Sequence, residues 1–272
     1  MTIASDQRRK VAEFLLRIKA IQLRPADPFT WASGRRSPIY CDNRKILSHP
    51  PVRTFVRQLA GELIESRYGQ PDGIAGVATG GIALGALVAQ EMGLPFCYVR
   101  SSAKAHGTGR QVEGDLDTMR NVVVIEDLIS TGKSSLTAVE ALRAVDLEVK
   151  GLVAIFSYGF ADAAARFEEA KCPFDVLTDY PTMLEQAKDE GYITEGQQTL
   201  LEQPRHPRVI LLQLLNQWYV RLCALQQRQR QRPPGGRGGE SNDGRGNGQK
   251  VCEREGGGAN RGNARELGRA AK

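Results

Sequence analysis

Val122-Val123-Val124-Ile125-Glu126-Asp127-Leu128-Ile129-Ser130-Thr131-Gly132-Lys133-Ser134-Ser135 is the stretch on which the fold turns. Four β-branched residues in succession are stiff at χ1 and read as a strand buried on both faces. Two carboxylates follow, expected at the strand's exposed end, and a turn of small residues then opens a helix. A strand with no polar face needs helices on both sides of its sheet, so this one run already argues for an α/β protein.

The chain on either side agrees. Short apolar runs at 73–78, 95–99 and 149–156 alternate with helical patterns at 82–91, 134–145 and 161–170. Strand, loop and helix in repetition predict a central parallel sheet, doubly wound and flanked by helices. In such sheets ligands sit at the carboxyl ends of strands, which directs attention to the loops after Val77, Val99 and Ile125. Further upstream, Val11, Phe14, Leu15, Ile18 and Ile21 recur at threes and fours and predict an amphipathic helix over 6–21. A Pro- and Gly-punctuated extended segment follows at 29–44, where a hairpin or hood is expected, and a helix resumes at 51–68 with proline in its first turn.

Composition divides the chain unevenly. Of its 272 residues 37 are Lys or Arg and 31 Asp or Glu, a net charge of +6. Residues 205–272 hold 14 of those bases and 5 of the acids, whereas 1–204 carry a net −3, so the basic pI belongs to the tail. We therefore expect a folded domain over 1–204, with the hood at about 1–45, and a low-complexity Gln/Arg/Gly-rich extension over 205–272. The apolar stretch 208–225 is too short and too polar for a membrane span, which needs about 20 apolar residues. Five scattered cysteines without zinc-type spacing indicate reduced thiols, and the charges that break up every apolar run of residues 1–19 argue against a signal peptide; cytoplasmic residence is expected.

Each of the three loops has chemistry of its own. Glu126 and Asp127 can accept hydrogen bonds from adjacent ribose hydroxyls, and the backbone N–H groups of 130–134, at a helix start, suit a phosphate dianion. Gly132-Lys133-Ser134 superficially suggests a nucleotide-triphosphate P-loop, but the glycine that motif needs five residues before its Gly-Lys is Asp127 here. The loop Arg100 to Gly114 is rich in glycine and cations and has no apolar anchor until Val112, so it can close over a polyanion with Arg100, Lys104 and His106. Thr79-Gly80-Gly81 is a turn whose N–H groups can hold pyrophosphate. In the segment Phe29 to Arg44, Tyr40 can stack on a flat base, although a plain hairpin packed on the domain explains that pattern equally well.

Taken together, the Val122–Ser135 segment resembles the phosphoribosyl-pyrophosphate signature of type I phosphoribosyltransferases. The 100–114 loop and the Phe29–Arg44 segment are similar to the catalytic loop and hood of the orotate phosphoribosyltransferases, over about 11–196. The resemblance implies a type I phosphoribosyltransferase-like fold and transfer of phosphoribosyl from phosphoribosyl pyrophosphate to orotate, as in UMP biosynthesis. It implies a homodimer with shared active sites, and Mg²⁺ held mainly through substrate rather than by direct protein ligands. Arg100, Lys104 and His106 would be catalytic, with Arg100 reaching the partner's site. The sugar phosphate would be held by those three together with Glu126, Asp127, Leu128, Ile129, Ser130, Thr131, Gly132, Lys133, Ser134, Thr79 and Gly80, and orotate by Ser130 and Tyr40.

This chain departs from the family pattern in four places. Many members carry lysine where it has Ser101, Gly80 and Ala32, and Ser157-Tyr158-Gly159 lacks an arginine that some use against orotate, leaving the partner of the carboxylate unassigned. A purine-base transferase sharing the ribose-phosphate loop is disfavoured by the hood and by Lys104 and His106. An alternative of another class is a sensor of the sugar phosphate that binds nucleic acid through its Arg/Gly tail. The intact acidic pair and catalytic loop favour an enzyme with small-molecule substrates and no membrane or nucleic-acid partner.

Overall fold

Residues 3–30, 36–102 and 111–202 are described by the structure, a computed structural model. The stretch 122–129 lies in a nine-residue strand, β8 (Asn121–Ile129), in which Val122, Val123, Val124 and Ile125 are all fully buried. Successive side chains of a strand point to opposite faces, and the core divides accordingly. Val123 and Ile125 join one apolar cluster, while Val122 and Val124 join another across the sheet.

That sheet has six strands in the order β10 (Phe174–Asp179), β9 (Glu148–Ser157), β8, β5 (Gly73–Val77), β6 (Phe96–Val99) and β7 (Val112–Glu113). Five of them, β5, β6, β8, β9 and β10, pair in parallel. The short β7 runs antiparallel at the edge beside β6, which the sequence pattern did not anticipate. On one face pack α1 (Ser5–Arg17), α2 (Pro50–Tyr68), α3 (Gly80–Met92) and α6 (Tyr180–Asp189), through Leu15, Ile64, Val88 and Met183 among others. The other face is covered by α4 (Lys133–Arg143) and α5 (Ala161–Glu169), through Val139, Leu142, Ala163 and Phe167. A further helix, α7 (Glu195–Glu202), buries Leu201 against the first cluster.

Two expectations change in detail. The first helix ends at Arg17, and Ile21 opens a strand, β1 (Ile21–Leu23), that pairs with β4 (Ile39–Cys41). With the small pair β2 (Phe29–Thr30) and β3 (Arg36–Ser37) it forms the hood before a 3₁₀ turn at Asn43–Ser48. The strand β10 and helices α6 and α7 add a unit that periodicity had not singled out, because the polar Asp175, Thr178 and Asp179 interrupt the apolar run.

The sheet order places the site. From β5 the chain moves one way to β6, and then returns to the other side of β5 for β8, β9 and β10. The reversal leaves β5 and β8 side by side with their connections leaving in opposite directions. At such a switch point the loops at the carboxyl ends part and leave a crevice for a ligand.

Candidate active site

At the crevice Asp127 faces the Thr79-Gly80 turn that follows β5. The approach is so close that a Cβ on Gly80 would fall on the Asp127 carboxylate, within 2.5 Å of Oδ1 and nearer still to its other atoms. Glycine at 80 is what allows the turn and the carboxylate to coexist, and a lysine there could not start from this backbone without moving Asp127. Gly81 is equally constrained from beneath, because its Cβ would strike the Ile125 carbonyl of β8. Thr79 is exposed, the Ala78–Thr79 peptide is cis, and α3 begins at Gly80 with its N-terminus at the crevice.

The two carboxylates are not equivalent, which corrects the expectation that both stand at an exposed strand end. β8 continues past them to Ile129, and Glu126 is only 4% exposed. Its oxygens are engaged: Ser135 Oγ on α4 donates to Oε2 at 3.0 Å, and the Asp127 backbone N–H donates to Oε1 at 3.0 Å. Burial, followed by the neighbouring Asp127 charge, pushes the Glu126 carboxyl well above its usual range. Asp127 is also raised, chiefly by burial, with the Arg44 guanidinium acting in the opposite sense. Asp127 is thus the carboxylate at the crevice surface, and Glu126 buttresses it. Two adjacent acids with raised affinity for protons, one of them facing the crevice, mark a place where hydroxyl donors or a cation are expected.

Beyond β8 the loop 130–132 turns into α4. Gly132 has φ +75° and caps the helix, and the first N–H groups of α4 have no partner within the helix. Ser130 and Thr131 are 7% and 6% exposed, Leu128 is half-buried, Ile129 is fully buried, and Lys133 and Ser134 are exposed. Ser130 Oγ is buried without a hydrogen-bond partner among the described residues. An orphaned buried hydroxyl in a crevice is a natural contact for a ligand.

The hood is tied to the same place. Asn43 Nδ2 donates to the Asp127 carbonyl at 2.7 Å, and Arg44 Nε donates to Asp42 at 2.6 Å while its charge acts on Asp127. Tyr40 is half-buried, its ring 5.8 Å from that of Phe29 and 5.9 Å from Lys45 Nζ. Asn43, Arg44 and Ser135 lie in stretches the sequence singles out, but sequence reasoning gave none of them a role. Asn43 lies 84 residues from Asp127, and nothing in local spacing signals such a contact.

Arg100 begins the loop after β6. Its N–H donates to the Gln111 carbonyl at 2.9 Å, Gln111 Nε2 donates back to the Arg100 carbonyl at 2.7 Å, and its guanidinium is 3.5 Å from Glu113. These bonds clamp the stem of the loop. Lys104 and His106 lie outside the described residues. At 157–159 Tyr158 is buried and stacked on Phe160 with ring centroids 5.6 Å apart, so an aromatic cluster occupies the position where an arginine was absent.

Comparison with known proteins decides the family. Residues 42–192 match the phosphoribosyl transferase domain family. The orotate phosphoribosyltransferase of Phocaeicola vulgatus is 55% identical over 191 residues, covering 70% of this chain and 90% of that protein. The chain belongs to the orotate phosphoribosyltransferase family. Another member, from Listeria monocytogenes, is 50% identical over 200 residues, 73% of this chain and 96% of that protein. Among solved structures, orotate phosphoribosyltransferase from Aeropyrum pernix superimposes with a TM-score of 0.54 at 27% identity, covering 65% of this chain and 98% of that one. The family's type I fold is therefore the fold of this chain, and the alternative of a sugar-phosphate sensor draws no support from these relatives.

Proposed function

We propose that this protein transfers the phosphoribosyl group of phosphoribosyl pyrophosphate to orotate, giving orotidine 5′-phosphate and pyrophosphate, as a step of pyrimidine nucleotide synthesis. The observation that carries this reading is the meeting, at the β5/β8 switch point, of the Asp127 carboxylate, the Thr79-Gly80 turn and the 130–134 helix start. They supply a hydroxyl acceptor, a pyrophosphate cradle and a phosphate nest around one crevice.

In the reaction the bond from ribose C1′ to the diphosphate oxygen breaks, and its electron pair leaves with pyrophosphate. A bond forms from C1′ to N1 of orotate, and the N1 proton passes to an oxygen of the departing pyrophosphate. Asp127, and Glu126 behind it, hold the ribose hydroxyls and stabilise positive charge developing on the sugar. The 5′-phosphate sits on the N–H groups of Ser130, Thr131, Gly132, Lys133 and Ser134. Arg100, Lys104 and His106, brought over the site by closure of their loop, neutralise the leaving pyrophosphate mainly in the transition state. Ser130 Oγ and Tyr40 contact the base. The orotate carboxylate keeps the base electron-rich, and with the leaving pyrophosphate as proton acceptor no protein side chain is required as a strong general base.

The residues at the crevice suit Mg²⁺, which prefers hard oxygen donors and few protein carboxylates alongside substrate phosphates. The ion would be held mainly through the diphosphate and ribose oxygens of the substrate, with the acidic Asp127 nearby rather than as a direct ligand. Bound there, the ion supplies charge neutralisation of the diphosphate.

We place the enzyme in the cytoplasm as a homodimer in which Arg100 serves the partner's site. Cys41, Cys97 and Cys172 are buried free thiols, which suits a reducing compartment. Among the described residues no helix is long and apolar enough to cross a membrane. The transferase domain occupies 1–204, and 205–272 is an appended extension outside its chemistry. Magnesium-dependent loss of orotate absorbance in the presence of phosphoribosyl pyrophosphate, with adenine, guanine and hypoxanthine as competing bases, tests the reading. Turnover of orotate alone is expected, and turnover of a purine with none of orotate would overturn it.

A further inference from the structure

The phosphate loop is braced from outside the site by α5, a helix with no assigned part in the reaction. Arg166 Nη1 on that helix donates to the Thr131 carbonyl at 3.0 Å, and the next residue, Phe167, lies behind Gly132, where a Cβ would come within 2.8 Å of its ring. Phe167 is itself fully buried, its ring 4.4 Å from that of Phe174 on β10, so the surface on which Gly132 rests is fixed.

The consequence follows from the peptide group. The Thr131 carbonyl and the Gly132 N–H belong to one peptide unit, and that unit is trans, since among the described residues the cis bond is Ala78–Thr79. In a trans unit C=O and N–H point in opposite directions. A guanidinium that pins the carbonyl toward α5 therefore turns the Gly132 N–H away from α5 and into the cradle. Glycine accepts the φ of +75° this requires, and Phe167 leaves no room for anything larger. Without the brace, the peptide plane between Thr131 and Gly132 is held by packing on Phe167 alone, and the donor offered to the phosphate is less firmly oriented.

We infer that Arg166 is a positioning residue for the ribose 5′-phosphate: by holding the Thr131 carbonyl it presets the Gly132 N–H, and its charge adds a fixed cation behind the anion. This rests on the assignment of the 130–134 loop to the 5′-phosphate. It reaches beyond the loop's own residues, to a helix 35 residues away in sequence.

The test is direct binding of ribose 5-phosphate and, separately, of inorganic pyrophosphate to the full chain by calorimetry, which needs no turnover. For Arg166→Met, ribose 5-phosphate is expected to bind roughly three- to tenfold more weakly, the range for loss of one oriented hydrogen bond with partial charge assistance. Pyrophosphate affinity and the melting temperature should stay put. Arg166→Lys, which keeps the charge, should recover part of the loss. Arg143→Met serves as control, because Arg143 makes the same kind of bond to the Ala170 and Lys171 carbonyls, away from the loop. Unchanged ribose 5-phosphate affinity in Arg166→Met, or an equal fall for both ligands, overturns the inference. A wild-type chain that binds no ribose 5-phosphate overturns instead the assignment of the loop.

Discussion

Adding one methyl group at Gly80 separates the chemistry of the crevice from the stability of the fold. Gly80 stands in the first turn of α3, where alanine is favoured over glycine by roughly 0.5–1 kcal/mol. The new Cβ falls on the Asp127 carboxylate, so that side chain must swing aside by about the width of a contact, for roughly 0.5–1.5 kcal/mol of rotamer strain. The two terms nearly cancel, and Gly80→Ala should melt within a few degrees of wild type. On the proposed role of Asp127, a carboxylate displaced from the ribose hydroxyls forfeits a charge-assisted hydrogen bond of about 1.5–3 kcal/mol, which is roughly a 10- to 100-fold loss in kcat/KM. Gly81→Ala should behave in the opposite manner. Its Cβ meets the Ile125 backbone, which has no flexible end to yield, and about 2–4 kcal/mol of stability should go. Thermal unfolding and the orotate-absorbance assay, run on both variants, read the two effects. Gly80→Ala with full activity, or with the same loss of stability as Gly81→Ala, would refute the placement of Asp127 against that turn.

Other outcomes follow from the same geometry. Lys104→Ala should lower kcat by roughly 100-fold or more with little change in the melting curve, as for removal of a group that stabilises leaving charge; an unchanged turnover would remove Lys104 from the mechanism. Glu126 is raised in the folded protein, so the stability its protonation contributes is complete below the unfolded pKa of about 4.3 and is lost as pH rises through the folded value. Glu126→Gln should therefore melt higher than wild type at pH 8 by more than it does at pH 5, while turning over poorly, and a melting difference independent of pH would contradict the assignment. Because ribose hydroxyls donate to charged carboxylates, ribose 5-phosphate should bind with release of protons and more weakly as pH falls; calorimetry in buffers of different ionisation heat measures the protons released. Asn43→Ala removes the bond from hood to Asp127 carbonyl and should cost about 1 kcal/mol of stability and raise the KM for substrate, both absent if the hood is merely a cover.

What the sequence determined by itself was local in origin. Four β-branched residues at 122–125, and the alternation of apolar runs with helical periods around them, identify an α/β sheet covered on both faces, because strand and helix leave their period in neighbouring residues. The small-residue turn at 130–134 and the glycines at 80 and 81 were also legible, since helix starts and tight backbone approaches restrict residue type at the positions themselves. The tertiary structure alone decided which strands lie side by side, and so which loops share a crevice. Strand order depends on pairings between distant segments: β5 sits between β6 and β8 although β8 follows it by some forty residues of chain. That order put Gly80 against Asp127, sank Glu126 beneath it, brought Asn43 to the Asp127 carbonyl and laid Arg166 on the back of the 130–134 loop. Each of those contacts is an accident of packing seen from one segment and a necessity seen from both, which is why no window of sequence contained them.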